Sequence, residues 1–291
     1  MFTVTILAAP SRADLPAALV DELRGAWDGG HVIWLAQGIA AEFPLAAEPA
    51  DFWQIWERLQ AEGFDLAIQP TRGRRKAVLL ADMDSTMIQQ ECIDELADVA
   101  GVGERVAEIT ARAMNGELNF HEALLARVGL LAGLRESAIA EVLDNRITLA
   151  PGGRQLVATM HAQGAYAALV SGGFTDFTGP VARALGFDEH RANTLLAEEG
   201  VLTGHVALPI LGREAKVEAL RDITAARGLT PAEVLAVGDG ANDLDMLKLA
   251  GMGVALHAKP VVAAQVGLRI NHGDLTALLY LQGYAAEEFA G

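Results

Sequence analysis

The sequence is short of cysteine, of basic residues and of long apolar runs, and each shortage excludes something. A single cysteine, Cys92, in 291 residues leaves no internal disulfide to form, which suits a reducing compartment and makes the cytoplasm the expected location. Lys and Arg number 22 against 38 Asp and Glu, a net charge of −16. Duplex binding needs clustered cations for the phosphates, so no nucleic-acid partner is expected. No apolar run approaches the roughly 18 residues of a membrane span. The opening MFTVTILAAPSRADLP has no basic segment ahead of its apolar stretch, so neither membrane association nor a secretory leader is expected. Tryptophan is confined to Trp27, Trp34, Trp53 and Trp56, a step in composition that points to two units with different cores.

What remains is an ordinary globular composition, long enough for two domains at roughly 150 residues each. The division is expected near residue 72, giving a first unit over 1–72 and a second over 73–291. TRGRRK, residues 71–76, holds the only basic cluster, Arg72, Arg74, Arg75 and Lys76, and reads as a solvated linker. Ahead of it the chain reads strand, helix, one extended segment or two, helix, strand. The second helix, DFWQIWERLQAEG, is expected to stop at Gly63. That is a small α+β unit with no residue pattern that suggests chemistry.

Behind the linker, AVLLADMD, AYAALVSGG and VLAVGDG are near-continuous apolar runs that end in Asp, Ser or Gly. Such runs joined by helices predict a parallel α/β sheet, which binds ligands beyond the carboxyl ends of its strands. The gap between the first two runs is far longer than a single crossover helix needs. It carries four periodic segments, which predict a helical cap inserted at about 87–150. At the strand ends stand Asp82 and Asp84, then Ser171, Gly172 and Gly173 where a helix is expected to begin, then Asp239 with Asn242 and Asp243. Alternation along an extended chain would aim Asp82 and Asp84 at one spot. Acids gathered at one sheet edge repel strongly, so the clustering predicts a hard cation such as Mg²⁺. A serine hydroxyl and backbone N–H groups at a helix start predict an anion site. Lys216, taken alone, is a solvated helix residue.

The order DMDST, SGG, Lys216, GDGANDLDM resembles the four motifs of the haloacid dehalogenase superfamily of phosphotransferases over residues 77 to about 260. The resemblance implies a Rossmann-like sheet with a helical cap and a phosphatase that works through an aspartyl-phosphate. It makes Asp82 the nucleophile and Asp84 the acid and base. It implies Mg²⁺ held by Asp82, Asp239 and the carbonyl of Asp84, with Asp243 further out. Ser171, Gly172, Lys216 and Asn242 would grip the phosphoryl group. The likeness extends to members that act on a phosphorylated amino acid. Motif one as D-x-D-S-T, Glu91 nine residues past Asp82, and Met114, Phe120 and Arg127 in the cap all match that group. Glu91 and Arg127 would then read the ammonium and carboxylate of a small-molecule substrate. Another phosphomonoester, or a sensor with a vestigial site, are the alternatives; the intact Asp82, Asp84, Lys216 and Asp239 speak against the second.

The first unit resembles the amino-acid-binding ACT type in element order and position. Such domains often carry a glycine after the first strand, and here none precedes Gly25. Homodimerisation through this unit is therefore as well supported as ligand binding.

Cys92 shares helical spacing with Ile88, Leu96 and Val99 and has no nearby histidine to activate it. It is expected to fill the core.

Overall fold

The computed structural model describes residues 1–114 and 117–291, the side chain of Met114 excepted. The first unit runs β1 (Phe2–Ala8), α1 (Ala17–Ala26), β2 (Ile33–Ala36), β3 (Ala40–Leu45), α2 (Phe52–Glu62) and β4 (Phe64–Pro70). The ambiguous middle segment is thus two strands, folded back at Gly38, whose φ of 74° suits glycine. The sheet order is β2-β3-β1-β4, with β1 antiparallel to both β3 and β4. This βαββαβ arrangement is the ferredoxin-like pattern and is consistent with an ACT-like unit. Gly63 ends α2 in the left-handed region, φ 86°, as its sequence position suggested.

The second unit begins with β5 (Val78–Ala81) and continues through four helices, α3 (Cys92–Val99), α4 (Gly103–Met114), α5 (Phe120–Gly129) and α6 (Ser137–Asn145). There follow α7 (Gly153–Ala162), β6 (Tyr166–Phe174), α8 (Thr175–Leu185) and β7 (Glu189–Asn193), then a hairpin of β8 (Leu195–Glu198) and β9 (Val201–Val206). The remainder is α9 (Arg213–Ala226), β10 (Val234–Gly238), α10 (Leu244–Leu249), β11 (Met252–Leu256), α11 (Pro260–Ala263), β12 (Leu268–Ile270) and α12 (Ala277–Leu281). The sheet order is β12-β11-β10-β5-β6-β7, and every pairing is parallel. Both faces are covered, which explains the unbroken apolar runs. Leu79 and Ala81 join one core with Leu169 and Val237, while Val78 and Leu80 join another with Val170 and Ala236. Among the described residues no helix is long and apolar enough to cross a membrane.

The position of β5 decides where chemistry can occur. Its two neighbours are β6 and β10, so the chain leaves it on one side and returns on the other. A crevice opens at such a switch point, beyond the carboxyl ends of the strands. All three polar strand ends noted in the sequence meet there.

The linker is only partly solvated: Arg72, Gly73 and Arg75 are exposed, but two of its arginines are held by distant partners. Arg74 forms a two-pronged pair with Glu42 at 2.6 and 3.0 Å. Arg75 lies 4.0 Å above the Tyr284 ring and donates to Glu288 at 2.8 Å. The partners lie more than thirty residues from it in one direction and some two hundred in the other, out of reach of any local reading. The two units are further tied by Asp65, which is fully buried. Its carboxylate accepts the backbone N–H groups of Asn271, His272 and Gly273 at 2.8, 3.0 and 2.8 Å. Charge-assisted bonds of this kind are roughly twice as strong as neutral ones and offset the burial of the charge.

Candidate active site

Asp82 follows β5 directly and is buried; its N–H donates to Val237 O on the neighbouring strand at 3.0 Å. Two residues later the chain turns. Ser85 has φ +55°, a left-handed conformation uncommon outside glycine that recurs at functional turns. The two carboxylates have different immediate partners, but the charge of Asp84 acts on Asp82 and Lys216 acts on both.

Asp82, Asp239 and Asp243 form one cluster. Each offers an oxygen, all within 4.8 Å of one another, and all three residues are buried. The glycines flanking Asp239 explain themselves here. A Cβ on Gly238 would clash with the Asp243 side chain, and one on Gly240 with the Asn242 amide. The loop folds tightly over its own side chains, so a larger residue at either position would have to displace Asp243 or Asn242. Asp243 also accepts the Gly240 N–H at 2.9 Å.

Lys216, on α9, is not a solvated residue. It is 1% exposed, and its Nζ lies 2.6 Å from Asp82 Oδ1 and 2.6 Å from Asp243 Oδ1. Burial by itself lowers a lysine pKa, but here the charges of Asp243 and Asp82 outweigh it and the ammonium is held protonated. One ammonium does not balance three carboxylates. Burial pushes Asp82 well up, with Asp243 adding to the effect and Lys216 opposing it. Burial, then Asp243 and Glu91, push Asp239 up to about 6. Three hard oxygen donors starved of positive charge fit a divalent cation, which would keep them ionised.

Asp84 stands outside that cluster. Its Oδ1 accepts the N–H of Cys92 at the start of α3, 3.2 Å away, and its Oδ2 lies so close to Gly173 that a Cβ there would sit 2.8 Å from it. Burial, then the charge of Glu91, raise the carboxyl pKa to about 7. Asp82 lies against an ammonium, and Asp84 against a backbone N–H.

Ser171, Gly172 and Gly173 do not begin a helix. They belong to β6, and α8 starts at Thr175. Val170 pairs with Arg191 and Phe174 with Asn193, so three residues stand opposite one and the strand bulges outward. A bulge re-aims backbone and side chains at a strand end, and here it carries the Ser-Gly-Gly segment towards Asp84. Ser171 is buried and its Oγ accepts the Gly173 N–H at 2.8 Å. A Cβ on Gly172 would lie 3.2 Å from the Phe120 ring and 3.9 Å from Asn242 Nδ2. Phe120, the first residue of α5, therefore brings the cap down on this loop.

Within the cap, Arg127 is half-buried and makes one side-chain hydrogen bond among the described residues, Nε to Ala123 O at 3.3 Å. Burial lowers its pKa, against the charges of Asp94, Glu91 and Asp84. Glu91 accepts the Ser85 hydroxyl at 2.8 Å. The side chain of Met114 lies outside the described residues.

Cys92 is fully buried, as expected, although Val99 of its expected face is exposed and Ile88 lies ahead of the helix, bridged to Leu149. Burial and the charge of Asp84 push its thiol far above the usual range, so it is inert.

The sequence gives no sign of Asn193, which the structure places at the hinge of two site loops. It is 2% exposed. Its Nδ2 donates to Gly172 O at 2.9 Å and Leu211 O at 3.1 Å, and its Oδ1 accepts the Leu211 N–H at 2.7 Å. It thereby fixes the bulge to the segment that leads into α9 and Lys216. Asn193→Ala is expected to lower kcat/KM about tenfold, the equivalent of one to two lost hydrogen bonds. Steady-state kinetics on protein of near-native melting temperature check this; unchanged kinetics would make Asn193 a packing residue only.

A family model described as haloacid dehalogenase-like hydrolase matches residues 79–248. The phosphoserine phosphatase of Streptomyces coelicolor is 38% identical over 292 aligned residues, covering 98% of this chain and 71% of that protein. The phosphoserine phosphatase of Streptococcus thermophilus is 46% identical over 200 residues, covering 69% of this chain and 93% of its own. A HAD family hydrolase from Salmonella enterica serovar Typhi superposes with a TM-score of 0.86 at 30% identity, covering 97% of this chain and 98% of its own.

Proposed function

The chain belongs to the haloacid dehalogenase-like hydrolases, and we propose that it hydrolyses O-phospho-L-serine to L-serine and phosphate, the last step of serine biosynthesis, with Mg²⁺ as cofactor. The observation that supports the substrate is that Arg127 of the cap carries no ion pair among the described residues, while Glu91, held by the Ser85 hydroxyl, lies beside Asp84. Burial lowers the arginine's pKa, and the charges of Asp94, then Glu91 and Asp84, act against it. A zwitterion asks for one cation and one anion in a confined space, and the phosphate site lies beside them.

In this reading the carboxylate of Asp82 attacks phosphorus while the bond from phosphorus to the serine oxygen breaks. Asp84, protonated, gives its proton to the departing oxygen. As a carboxylate it then takes a proton from the water that attacks the phosphoenzyme, releasing phosphate and regenerating Asp82. Ser171, the Gly172 N–H, Asn242 and Lys216 hold the phosphoryl oxygens. Lys216 already spans Asp82 and Asp243 and so stands next to the reacting carboxylate. Asp82 and Asp239, with the Asp84 carbonyl, are the proposed metal ligands, and Asp243 closes the same cluster. When bound, Mg²⁺ supplies positive charge to the phosphoryl oxygens. Residues 1–72 are proposed to act as a unit distinct from 73–291, and to dimerise through β2, an edge strand with Ile33 half exposed. The single, inert cysteine supports a cytoplasmic setting.

Arg127→Ala tests the substrate. It is expected to cut kcat/KM for phosphoserine about a hundredfold or more, on the basis of roughly 3 kcal/mol for a buried charged hydrogen-bonding pair. A small aryl phosphate, which has no carboxylate, should be turned over almost as before. Equal losses on both substrates would mean that Arg127 supports the cap without reading the substrate.

A further inference from the structure

The basic linker and the helix behind the acidic loop enclose a cavity that the phosphatase reaction does not use. Its volume is about 360 Å³, within the range of small-ligand sites, roughly 300–1,000 Å³. One wall is the end of β4 and the linker; the other is α10, the start of β11 and the approach to β12. Its two walls thus come from the two units of the chain.

Four cations line it, Arg72, Arg74, Lys76 and Lys248. Arg74 is neutralised by Glu42. The other three are in no ion pair among the described residues. Arg72 is exposed. Lys76 gives one hydrogen to Ala232 O at 2.7 Å, and Lys248 gives one to Gln265 Oε1 at 2.7 Å. Both acceptors are uncharged, and each ammonium has three hydrogens to give. Glu233 acts on Lys76 only through its field, while burial works to lower the lysine pKa. Glu233 and Asp245 act on Lys76 and Lys248 through their fields without contact. Three cations without an ion pair around one cleft nevertheless stand out in a chain with 38 acids and 22 cations, and an anion among them would gain from all three. Gly73 and Gly267, where a Cβ would meet nothing within 4 Å, leave parts of the wall bare.

We infer that this cavity binds a compact dianion, an aliphatic dicarboxylate or a short phosphorylated acid, between Arg72, Lys76 and Lys248. Lys248 lies on α10, which begins directly after Asp243. A ligand held there touches both the linker and the helix that carries the acidic loop.

The test is titration calorimetry of the full chain at low ionic strength with succinate and, separately, phosphonoacetate, which the phosphatase reaction cannot cleave. A saturable heat with a Kd of about 1 mM or tighter is expected for at least one of them. Lys248→Gln and Arg72→Gln should each weaken it about tenfold or more, the loss typical of one charged hydrogen bond. Both variants should turn over phosphoserine as the unaltered chain does. Arg127→Ala should leave the heat in place. Succinate binding alone identifies a dicarboxylate, phosphonoacetate binding alone a phosphorylated acid, and binding of both the shared dianion chemistry. Absence of saturable heat with either probe overturns the proposal. So does binding that survives Lys248→Gln but disappears in Arg127→Ala, because that ligand occupies the active site.

Discussion

Asp82→Asn is expected to remove turnover of phosphoserine while the chain stays folded. An amide nitrogen cannot take the place of the attacking oxygen, and no phosphoenzyme can form. Losses on the order of 10⁶-fold accompany removal of a nucleophile that works as a unit with its neighbours. The fold should tolerate the change because burial and Asp243 already disfavour charge at this position, and the amide has nearly the same shape. Lys216 keeps Asp243 at 2.6 Å, so the ammonium is not left without a partner. Phosphate release, thermal melting and the intact mass of the protein after incubation with substrate check the three parts. More than a trace of activity in protein free of deamidation would remove Asp82 from the nucleophile's role.

Most of this site was legible in the sequence because its residues sit at strand ends, where local pattern and tertiary position coincide. A buried parallel strand must be apolar until it leaves the sheet, so the first polar residue marks the sheet edge. Asp82 and Asp239 could be placed in this way. Lys216 could not, since nothing local separates a buried lysine from a solvated one; its burial depends on two acids, one of them 134 positions upstream. The Ser-Gly-Gly segment misled for a different reason. Those residues suit a helix start and a bulge equally, and only the pairing with β7 decides between them. Asn193 carries no local signal at all, because its three partners are loop backbone groups 18 and 21 positions away. The linker reading was incomplete in the same way. Its exposed residues fit it, but the partners of Arg74 and Arg75 appear only when Glu42, Tyr284 and Glu288 are brought beside them. The hairpin of β8 and β9, which packs on α5 of the cap, had no counterpart in the sequence reading.

Asp84→Asn separates the acid role from simple loss of charge. The residue holds its carboxyl between the Cys92 N–H and Gly173, and burial raises its pKa to about 7. A carboxyl in that state can give up a proton to an alkoxide leaving group and recover it from water. An amide of the same shape can do neither, so the variant is expected to lose about 10² to 10⁴-fold on phosphoserine. The size of the loss should depend on the leaving group. Serine oxygen leaves as a strongly basic alkoxide and needs the proton, whereas a nitrophenolate leaves without one. The first step on an aryl phosphate with a good leaving group should therefore be nearly unaffected, while hydrolysis of the phosphoenzyme, which needs the base, stays slow. Rapid-quench measurement on that substrate should show a burst of released phenol close to one equivalent, followed by slow turnover. If formation of the phosphoenzyme slows as much with the aryl phosphate as with phosphoserine, Asp84 acts by holding the turn at Ser85 and not by moving a proton.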